Sequence, residues 1–222
     1  MIKQKFCIDN REISSNFPPY VIAEVSANHN GSIQRAKDTI LAAKNAGVDA
    51  VKIQTYTPDT MTIDVENSDF YIKEGLWKNR SLYDLYGEAY TPYEWHEELF
   101  KFSNDIGVTL FSSPFDESAV DLLVSLNVPA FKVASFEIVD LPLIKYIASK
   151  KKPILMSTGM ASLEEIGNAV ESAKSAGNQD LALFHCISSY PALISESNLN
   201  LITILRKEFS IQVGLSDHTI GN

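Results

Sequence analysis

The chain has 222 residues, which is enough for one sizeable hydrophobic core and favours a single domain. Hydrophobic residues make up 45% and charged residues 21%, as in ordinary soluble globular proteins, and no apolar run reaches the ~20 residues that cross a bilayer. The formal net charge of -9 argues against a nucleic-acid-binding surface, which needs a basic face. We therefore expect neither a membrane nor a nucleic acid as a partner.

The start of the chain and the cysteines indicate the cellular compartment. The segment MIKQKFCIDNREISS lacks the apolar core of a secretion signal. Cys7 and Cys186 are the two cysteines, and their wide separation favours free thiols in a reducing cytoplasm over a disulfide framework. We therefore expect a cytoplasmic protein.

Short segments rich in Val, Ile and Leu alternate along the chain with longer amphipathic segments. The short segments predict strands near residues 20–25, 50–54, 107–111, 130–134, 153–156, 181–185 and 211–215. The amphipathic segments predict helices between them, for example at 32–46, 92–104, 117–125, 162–176 and 198–208. Ser162 and Glu165 have the spacing of a capping box, which supports a helix start at that point.

This alternation predicts parallel strands covered by helices, in either an open doubly wound sheet or a (βα)8 barrel. An open sheet usually carries a glycine-rich phosphate loop after its first strand, whereas residues 27–32 read ANHNGS. We therefore predict a (βα)8 TIM barrel. A complete barrel needs ~250 residues, and this sequence stops at Gly221-Asn222, soon after the seventh predicted strand.

The barrel is accordingly expected to be incomplete at its C-terminus, with about seven βα units and without the eighth strand. Either the chain is a fragment or a partner supplies the rest. No internal repeat and no linker-like composition marks a second domain, so residues 1–222 are predicted to form one barrel domain.

The longest connection, from Thr55 to Thr91, is aromatic and charged. It follows the second predicted strand, and long connections at the C-terminal end of a barrel strand are where substrate-covering loops lie. Four aromatic residues in or after it either pack together or form a platform for a sugar, and packing is the commoner use. They are Trp77, Tyr83, Tyr86 and Trp95.

Polar side chains stand at nearly every predicted strand end. They are Glu24, Lys52, Gln54, Ser112, Ser113, Lys132, Ser135, Ser157, Thr158, Ser188, Tyr190, Ser216, Asp217 and His218. The C-terminal strand ends of a barrel meet at one mouth, where its active site forms. We therefore predict that these side chains belong to one site.

Two of these residues, Lys52 and Lys132, indicate what the site binds. A lysine inside a barrel mouth, away from bulk water, needs an anionic partner. The lysines therefore predict a cradle for phosphate and carboxylate groups, unless both face outward between the helices. Neighbouring hydroxyls would come from Ser113, Ser135 and Ser157.

The histidines leave more than one interpretation open. Glu24, followed by Asn28 and His29, forms either an acid/base cluster or a polar loop. His218 is either a metal ligand, a common role of neutral imidazole, or a structural residue. His185 lies within an apolar strand and is expected to be a hydrogen-bonded core residue. His96 lies on a predicted helix and is expected at the surface.

Seven motifs at these positions carry a family resemblance. In order along almost the whole chain they read IAEVSANHNG, VKIQTYTPDTM, FSSPFD, FKVASFE, MSTGM, HCISSYP and VGLSDHT. They resemble the sialic acid synthase family, whose members make nonulosonic acids, and seven ordered matches are far more specific than one motif. The segments KIQTYTPDTMTI and GLWKNRSLYDLYGEAYTPYEWH look like the pseudaminic acid synthase branch more than the N-acetylneuraminate branch.

The resemblance implies a transferase that condenses phosphoenolpyruvate with an acetamido sugar in carbohydrate biosynthesis, using Mn²⁺ or Mg²⁺. In this branch the sugar is 2,4-diacetamido-2,4,6-trideoxy-altrose, and the products are phosphate and pseudaminic acid, a component of cell-surface glycans. The resemblance also implies a C-terminal antifreeze-like domain, absent here, and a homodimer at full length. The alternatives are an N-acetylneuraminate or legionaminic acid synthase, or an inactive truncated fragment of such an enzyme.

The resemblance also assigns roles to individual residues. The residues that would hold phosphoenolpyruvate are Lys52, Ser113, Lys132, Ser135, Ser157 and Ser216. Gln54 and Tyr190 would lie beside the sugar, Glu24 would be the acid/base group, and His218 would be one metal ligand. Ser188 replaces an asparagine of N-acetylneuraminate synthases and is assigned to the substrate. The family's second metal histidine follows the eighth strand, beyond this sequence.

Overall fold

The computed structural model describes residues 5–75 and 77–220, which pack into two compact units. The central unit is Val21–Val128, and the terminal unit consists of the described residues of Met1–Tyr20 and Pro129–Asn222. The expected end of the chain at Gly221 and Asn222 lies outside the described residues. Within the described ranges, no helix is both long enough and apolar enough to cross a membrane.

The central unit contains three parallel strands, each followed by helices. The strands are β3 (Ile22–Glu24), β4 (Ala50–Thr55) and β5 (Thr109–Pro114). The helices are α1 (Ile33–Asn45), α2 (Pro58–Met61), α3 (Leu82–Ala89), α4 (Tyr93–Ile106) and α5 (Glu117–Ser125). Glu24 lies opposite Lys52, and Gln54 lies opposite Ser113. This register places four predicted site residues at neighbouring positions.

Local signals explain where these helices begin and end. α1 begins after Ser32, whose hydroxyl accepts a hydrogen bond from the Arg35 N–H. α4 ends at Gly107, whose φ of 72° is left-handed and is easiest for glycine. Apolar side chains of both helices, such as Ile40 and Leu99, are fully buried and form part of the core.

The connection after β4 contains more regular structure than a loop. α2 and α3 both lie in it, and the Tyr83 hydroxyl of α3 donates to Asp59 Oδ1 of α2 over 3.1 Å. Tyr86 packs edge-on against Tyr56, which supports packing over a sugar platform for this aromatic residue. Trp77, in contrast, is exposed.

The terminal unit begins with a hairpin of β1 (Phe6–Ile8) and β2 (Arg11–Ile13). Four parallel strands follow: β6 (Phe131–Val133), β7 (Ile154–Ser157), β8 (Leu181–Cys186) and β9 (Gln212–Ser216). The helices are α6 (Leu141–Ser149), α7 (Leu163–Ser175) and α8 (Asn200–Phe209). The predicted capping box is confirmed at the start of α7, where Ser162 and Glu165 bond each other reciprocally.

Candidate active site

In the central unit, Lys52 is buried and paired with Glu24. Lys52 Nζ donates to Glu24 Oε1 over 2.7 Å, and the Lys52 side chain is 9% exposed against 39% for Glu24. The buried ammonium group therefore has an anionic partner, as a low-polarity site requires. The carboxylate remains partly open to solvent, where a substrate could reach it.

Beyond this pair, Gln54 and Ser113 lie opposite each other on β4 and β5. The Ser26 hydroxyl donates to Gln54 Oε1 over 3.2 Å. The Ser113 hydroxyl is buried, and no described residue forms a hydrogen bond with it. Because an unsatisfied buried hydroxyl costs free energy, this oxygen is suited to contact a bound ligand.

The loop after Glu24 is held by His29. The ring is buried, its Nδ1 accepts from the Gly31 N–H over 3.2 Å, and it packs edge-on against Trp95. Burial lowers the pKa of His29, although a contact with a backbone carbonyl opposes this effect. These contacts favour a structural loop residue over an acid/base partner of Glu24.

In the terminal unit, the buried Lys132 lies against Ser157. Lys132 Nζ donates to Ser157 Oγ over 2.5 Å and to the Val133 carbonyl over 2.9 Å. The ammonium group also lies 5.7 Å from the centre of the Phe184 ring. A buried cation beside buried hydroxyl groups is the arrangement that an anionic ligand needs.

The half-buried Glu137 is a candidate that the reading of strand ends missed. Burial raises the pKa of Glu137, although the charge of Lys132 acts in the opposite direction. A carboxyl group with a raised pKa near a site is suited to proton transfer. The available signal was its position two residues after Ser135, in the motif FKVASFE.

Ser135 and Ser188 meet at Gly159. A Cβ atom at Gly159 would collide with both serine hydroxyls, so glycine permits their approach. The Ser188 hydroxyl is buried, and within the described chain it has no hydrogen-bond partner. It is therefore a second hydroxyl that a ligand could satisfy. A cavity of about 490 Å³ lies beside Ser188 and is also lined by Thr158, Met160 and other residues of this unit.

Cys186, which was not among the predicted site residues, lies close to several of them. Its Sγ is 3.9 Å from His218 Nδ1, and the His218 ring lies 4.2 Å from the Tyr190 ring. Burial acts to raise the pKa of the Cys186 thiol, but hydrogen bonds with His218, Ser135 and Ser216 outweigh it and lower the pKa to about 7. Cys186 and Cys7 are both free, as predicted.

His218 has the environment of a potential metal ligand. Its Nδ1 lies 2.8 Å from the Ile187 carbonyl, which can only accept, so Nδ1 carries the proton and Nε2 the lone pair. Such a bond commonly orients metal-binding histidines. Among the described residues, no group of three His, Cys, Asp or Glu side chains could hold a metal ion. His218 therefore stays a candidate for a single metal ligand, without a three-residue group around it in the described part of the chain.

The two remaining histidines are both buried. His185 is a core residue as predicted, with Nε2 2.7 Å from the Ser197 carbonyl. The surface position predicted for His96 is wrong. His96 is 0% exposed, and its burial is tolerated because Thr55 and the Pro92 carbonyl satisfy the two ring nitrogens. The predicted meeting of Lys52 and Lys132, which belong to different units, stays a prediction.

In a comparison with known protein families, residues 39–222 of this chain match the NeuB family. The chain belongs to the NeuB family. It is 47% identical to pseudaminic acid synthase of Campylobacter jejuni over 91% of this chain and 59% of that protein. The Helicobacter pylori pseudaminic acid synthase is 45% identical over 92% of this chain and 60% of that protein.

A more distant relative is N,N'-diacetyllegionaminic acid synthase of Legionella pneumophila, at 37% identity over 93% of this chain and 59% of that protein. The chain therefore spans about six-tenths of the length of these relatives. The predicted membership of the sialic acid synthase family, nearest to its pseudaminic branch, is confirmed.

Solved structures confirm the fold class. Spore coat polysaccharide biosynthesis protein SpsE of Bacillus subtilis aligns with a TM-score of 0.81 at 34% identity, over 97% of this chain and 57% of that chain. N-acetylneuraminic acid synthetase of Leptospira borgpetersenii aligns with a TM-score of 0.87 at 28% identity, over 98% and 71%. Together with the parallel strands and alternating helices, these likenesses confirm the predicted fold class, that of the (βα)8 TIM barrel.

Proposed function

We propose that this chain is the barrel part of a pseudaminic acid synthase. The enzyme condenses phosphoenolpyruvate with 2,4-diacetamido-2,4,6-trideoxy-altrose and releases phosphate. The observation that carries the proposal is the burial of Lys52 and Lys132, two residues that the family resemblance assigns to phosphoenolpyruvate, in a chain that matches the NeuB family. The pseudaminic branch is supported by relatives at 45% and 47% identity, against 37% for the legionaminic acid synthase.

Phosphoenolpyruvate carries a phosphate and a carboxylate, and each unit offers a buried ammonium group close to buried hydroxyls. In the terminal unit the ammonium group is that of Lys132, which donates a hydrogen bond to Ser157. Ser135 follows Lys132 closely in the sequence. In the central unit it is that of Lys52, with the unsatisfied hydroxyl of Ser113 two strand positions further on the neighbouring strand. Charge-assisted hydrogen bonds to both anionic groups would replace the lost hydration.

The reaction forms one carbon–carbon bond and one carbon–oxygen bond to water, and it breaks the carbon–oxygen bond to phosphate. The methylene carbon of phosphoenolpyruvate attacks the aldehyde carbon of the sugar, which leaves positive character on the carbon that bears phosphate. Water adds to that carbon and forms a new carbon–oxygen bond. One proton of this water passes to the former aldehyde oxygen and the other leaves with phosphate, as the carbon–oxygen bond to phosphate breaks and a keto group forms. Glu24 is the proposed acid/base group, because its partly exposed carboxylate can exchange protons while Lys52 holds it in place.

The sugar would lie beside Gln54 and Tyr190. The Ser26 hydroxyl occupies Gln54 Oε1, which leaves the amide nitrogen oriented as a donor to a hydroxyl or acetamido oxygen. Tyr190 is exposed and stacks on His218, a position from which an aromatic face can cover a sugar ring.

A divalent cation, Mn²⁺ or Mg²⁺, would be held partly by His218 and would polarise the aldehyde oxygen. The homodimer and the cytoplasmic location that the family resemblance implies stay predictions.

The test is phosphate release from phosphoenolpyruvate by the natural full-length protein with Mn²⁺. Three acetamido sugars are compared: the pseudaminic, legionaminic and N-acetylneuraminate precursors. We expect release with the first, together with a product of the mass of pseudaminic acid. Preference for another precursor would move the protein to that branch, and no consumption of phosphoenolpyruvate with any of them would refute the proposal.

A further inference from the structure

A buried polar cluster lies behind two of the proposed substrate residues. It consists of Thr55 on β4, Ser112 on β5 and His96 on α4, and we refer to it as the buried triad. All three residues are 0% exposed. Thr55 Oγ1 lies 2.8 Å from His96 Nε2 and 2.6 Å from Ser112 Oγ. Such a cluster is unusual between a strand and a helix, where apolar packing is the norm.

The directions of its hydrogen bonds follow from one fixed acceptor. His96 Nδ1 lies 3.0 Å from the Pro92 carbonyl, which can only accept, so Nδ1 carries the proton. Nε2 of the neutral ring then accepts from the Thr55 hydroxyl. Thr55 in turn accepts from Ser112, whose single hydroxyl proton is shared with the Ile53 carbonyl, an acceptor 3.1 Å away. Each side chain of the triad therefore has its partners, which is the condition under which a buried network rigidifies a protein.

The triad is adjacent in sequence to the proposed site. Thr55 follows Gln54 directly, and Ser112 precedes Ser113. Because side chains alternate across a strand, Thr55 and Ser112 lie on the face of the sheet that packs against α4 and His96. Gln54 and Ser113 lie on the opposite face of the sheet. The hydrogen bonds of the triad thus join the ends of β4 and β5 where these two substrate residues stand.

We propose that Thr55, His96 and Ser112 are positioning residues, which fix the spacing of the Gln54 amide and the Ser113 hydroxyl. No described residue forms a hydrogen bond with the Ser113 hydroxyl, so the backbone behind it must set its place. What Ser113 and Gln54 bind, phosphoenolpyruvate and the sugar, rests on the proposed function. The triad itself touches neither substrate.

The test separates the hydroxyl of Thr55 from its shape. Thr55→Val keeps the shape and deletes the hydroxyl, whereas Thr55→Ser keeps the hydroxyl and should rescue. Ser103→Ala is the control, because Ser103 is also buried on α4 but, within the described chain, its hydroxyl has no partner. Calorimetry with phosphoenolpyruvate, steady-state kinetics with both substrates and Mn²⁺, and melting temperatures are measured in the natural full-length protein.

We expect Thr55→Val to lower phosphoenolpyruvate affinity or kcat/KM about tenfold or more, since small displacements in a site can cost ~10²-fold. Thr55→Ser and Ser103→Ala should stay near wild type. If Thr55→Val fails to fold, Ser112→Ala provides the same comparison, because it removes the hydrogen bond between Ser112 and Thr55.

A lower melting temperature with unchanged affinity and kinetics would show that the triad only stabilises the fold, and would overturn the inference. Wild-type protein that binds phosphoenolpyruvate but condenses it with no sugar would refute the proposed function, while the affinity comparison would still decide the role of the triad. Absence of phosphoenolpyruvate binding in wild type would overturn both.

Discussion

Replacement of Lys132 by methionine separates ligand binding from stability. The lysine is 6% exposed, donates to Ser157 Oγ over 2.5 Å, and lies near the Phe184 ring. Methionine has a similar length and fills the same space without a charge. If the ammonium group serves to bind an anion, its removal should weaken binding without weakening the fold.

The expected loss follows from the bonds that the ammonium group makes. Hydrogen bonds to charged groups contribute about 1.5–3 kcal/mol, which corresponds to a loss of phosphoenolpyruvate affinity of about 10- to 150-fold. The folded protein should lose little stability, because methionine removes the cost of burying a charge while it leaves the Ser157 hydroxyl and the Val133 carbonyl without this donor. Loss of the donor to Ser157 would offset part of any gain.

The assay is calorimetric titration with phosphoenolpyruvate beside thermal unfolding, in the natural full-length protein. Lys145→Met is the matched control, since it removes the same charge from an exposed position on α6. Unchanged affinity in Lys132→Met would refute the anion-binding role. Equal losses of affinity in both variants would show that the effect comes from net charge alone.

Three further predictions concern candidate residues of the two units. Glu24→Gln should still bind phosphoenolpyruvate but lose about 10²–10⁴-fold in turnover, and unchanged product formation would exclude Glu24 as the acid/base group. Gly159→Ala should weaken substrate binding, because its Cβ would collide with the Ser188 hydroxyl; wild-type affinity in titrations would contradict this. Because the pKa of Glu137 is raised in the fold, its contribution to stability falls as pH rises from its unfolded pKa through its folded one. Glu137→Gln should therefore raise the melting temperature more at pH 8 than at pH 4, and an equal shift at both values would argue against the raised pKa.

Much of the architecture could be predicted from the sequence because it depends on local patterns. The seven parallel strands of the two units overlap the segments predicted from apolar composition, and α7 begins at the predicted Ser162 cap. The N-terminal hairpin was not predicted, since strands of three residues show too little alternation to be recognised. α6 was not among the named helices. The structure shows the signals at its start, where Asp140 caps the Leu143 N–H and a proline occupies the first turn.

The candidate site, too, could be predicted from the sequence only in part. The strand-end rule indicated which polar residues to examine, and burial chemistry indicated that Lys52 needs an anionic partner. That this partner is Glu24 depends on the register of β3 against β4, which brings together residues 28 positions apart.

His96 shows what only the tertiary structure decided. Helical periodicity treats histidine as a polar residue and predicts a surface position. In the fold, the hydroxyl groups of Thr55 on β4 and Ser112 on β5 form one buried hydrogen-bond network with the His96 ring, although the three residues are far apart in sequence. Local sequence determines which segments become strands and helices, because backbone geometry repeats over a few residues. Hydrogen-bond partners between segments are set by packing, and packing alone made this histidine a buried residue.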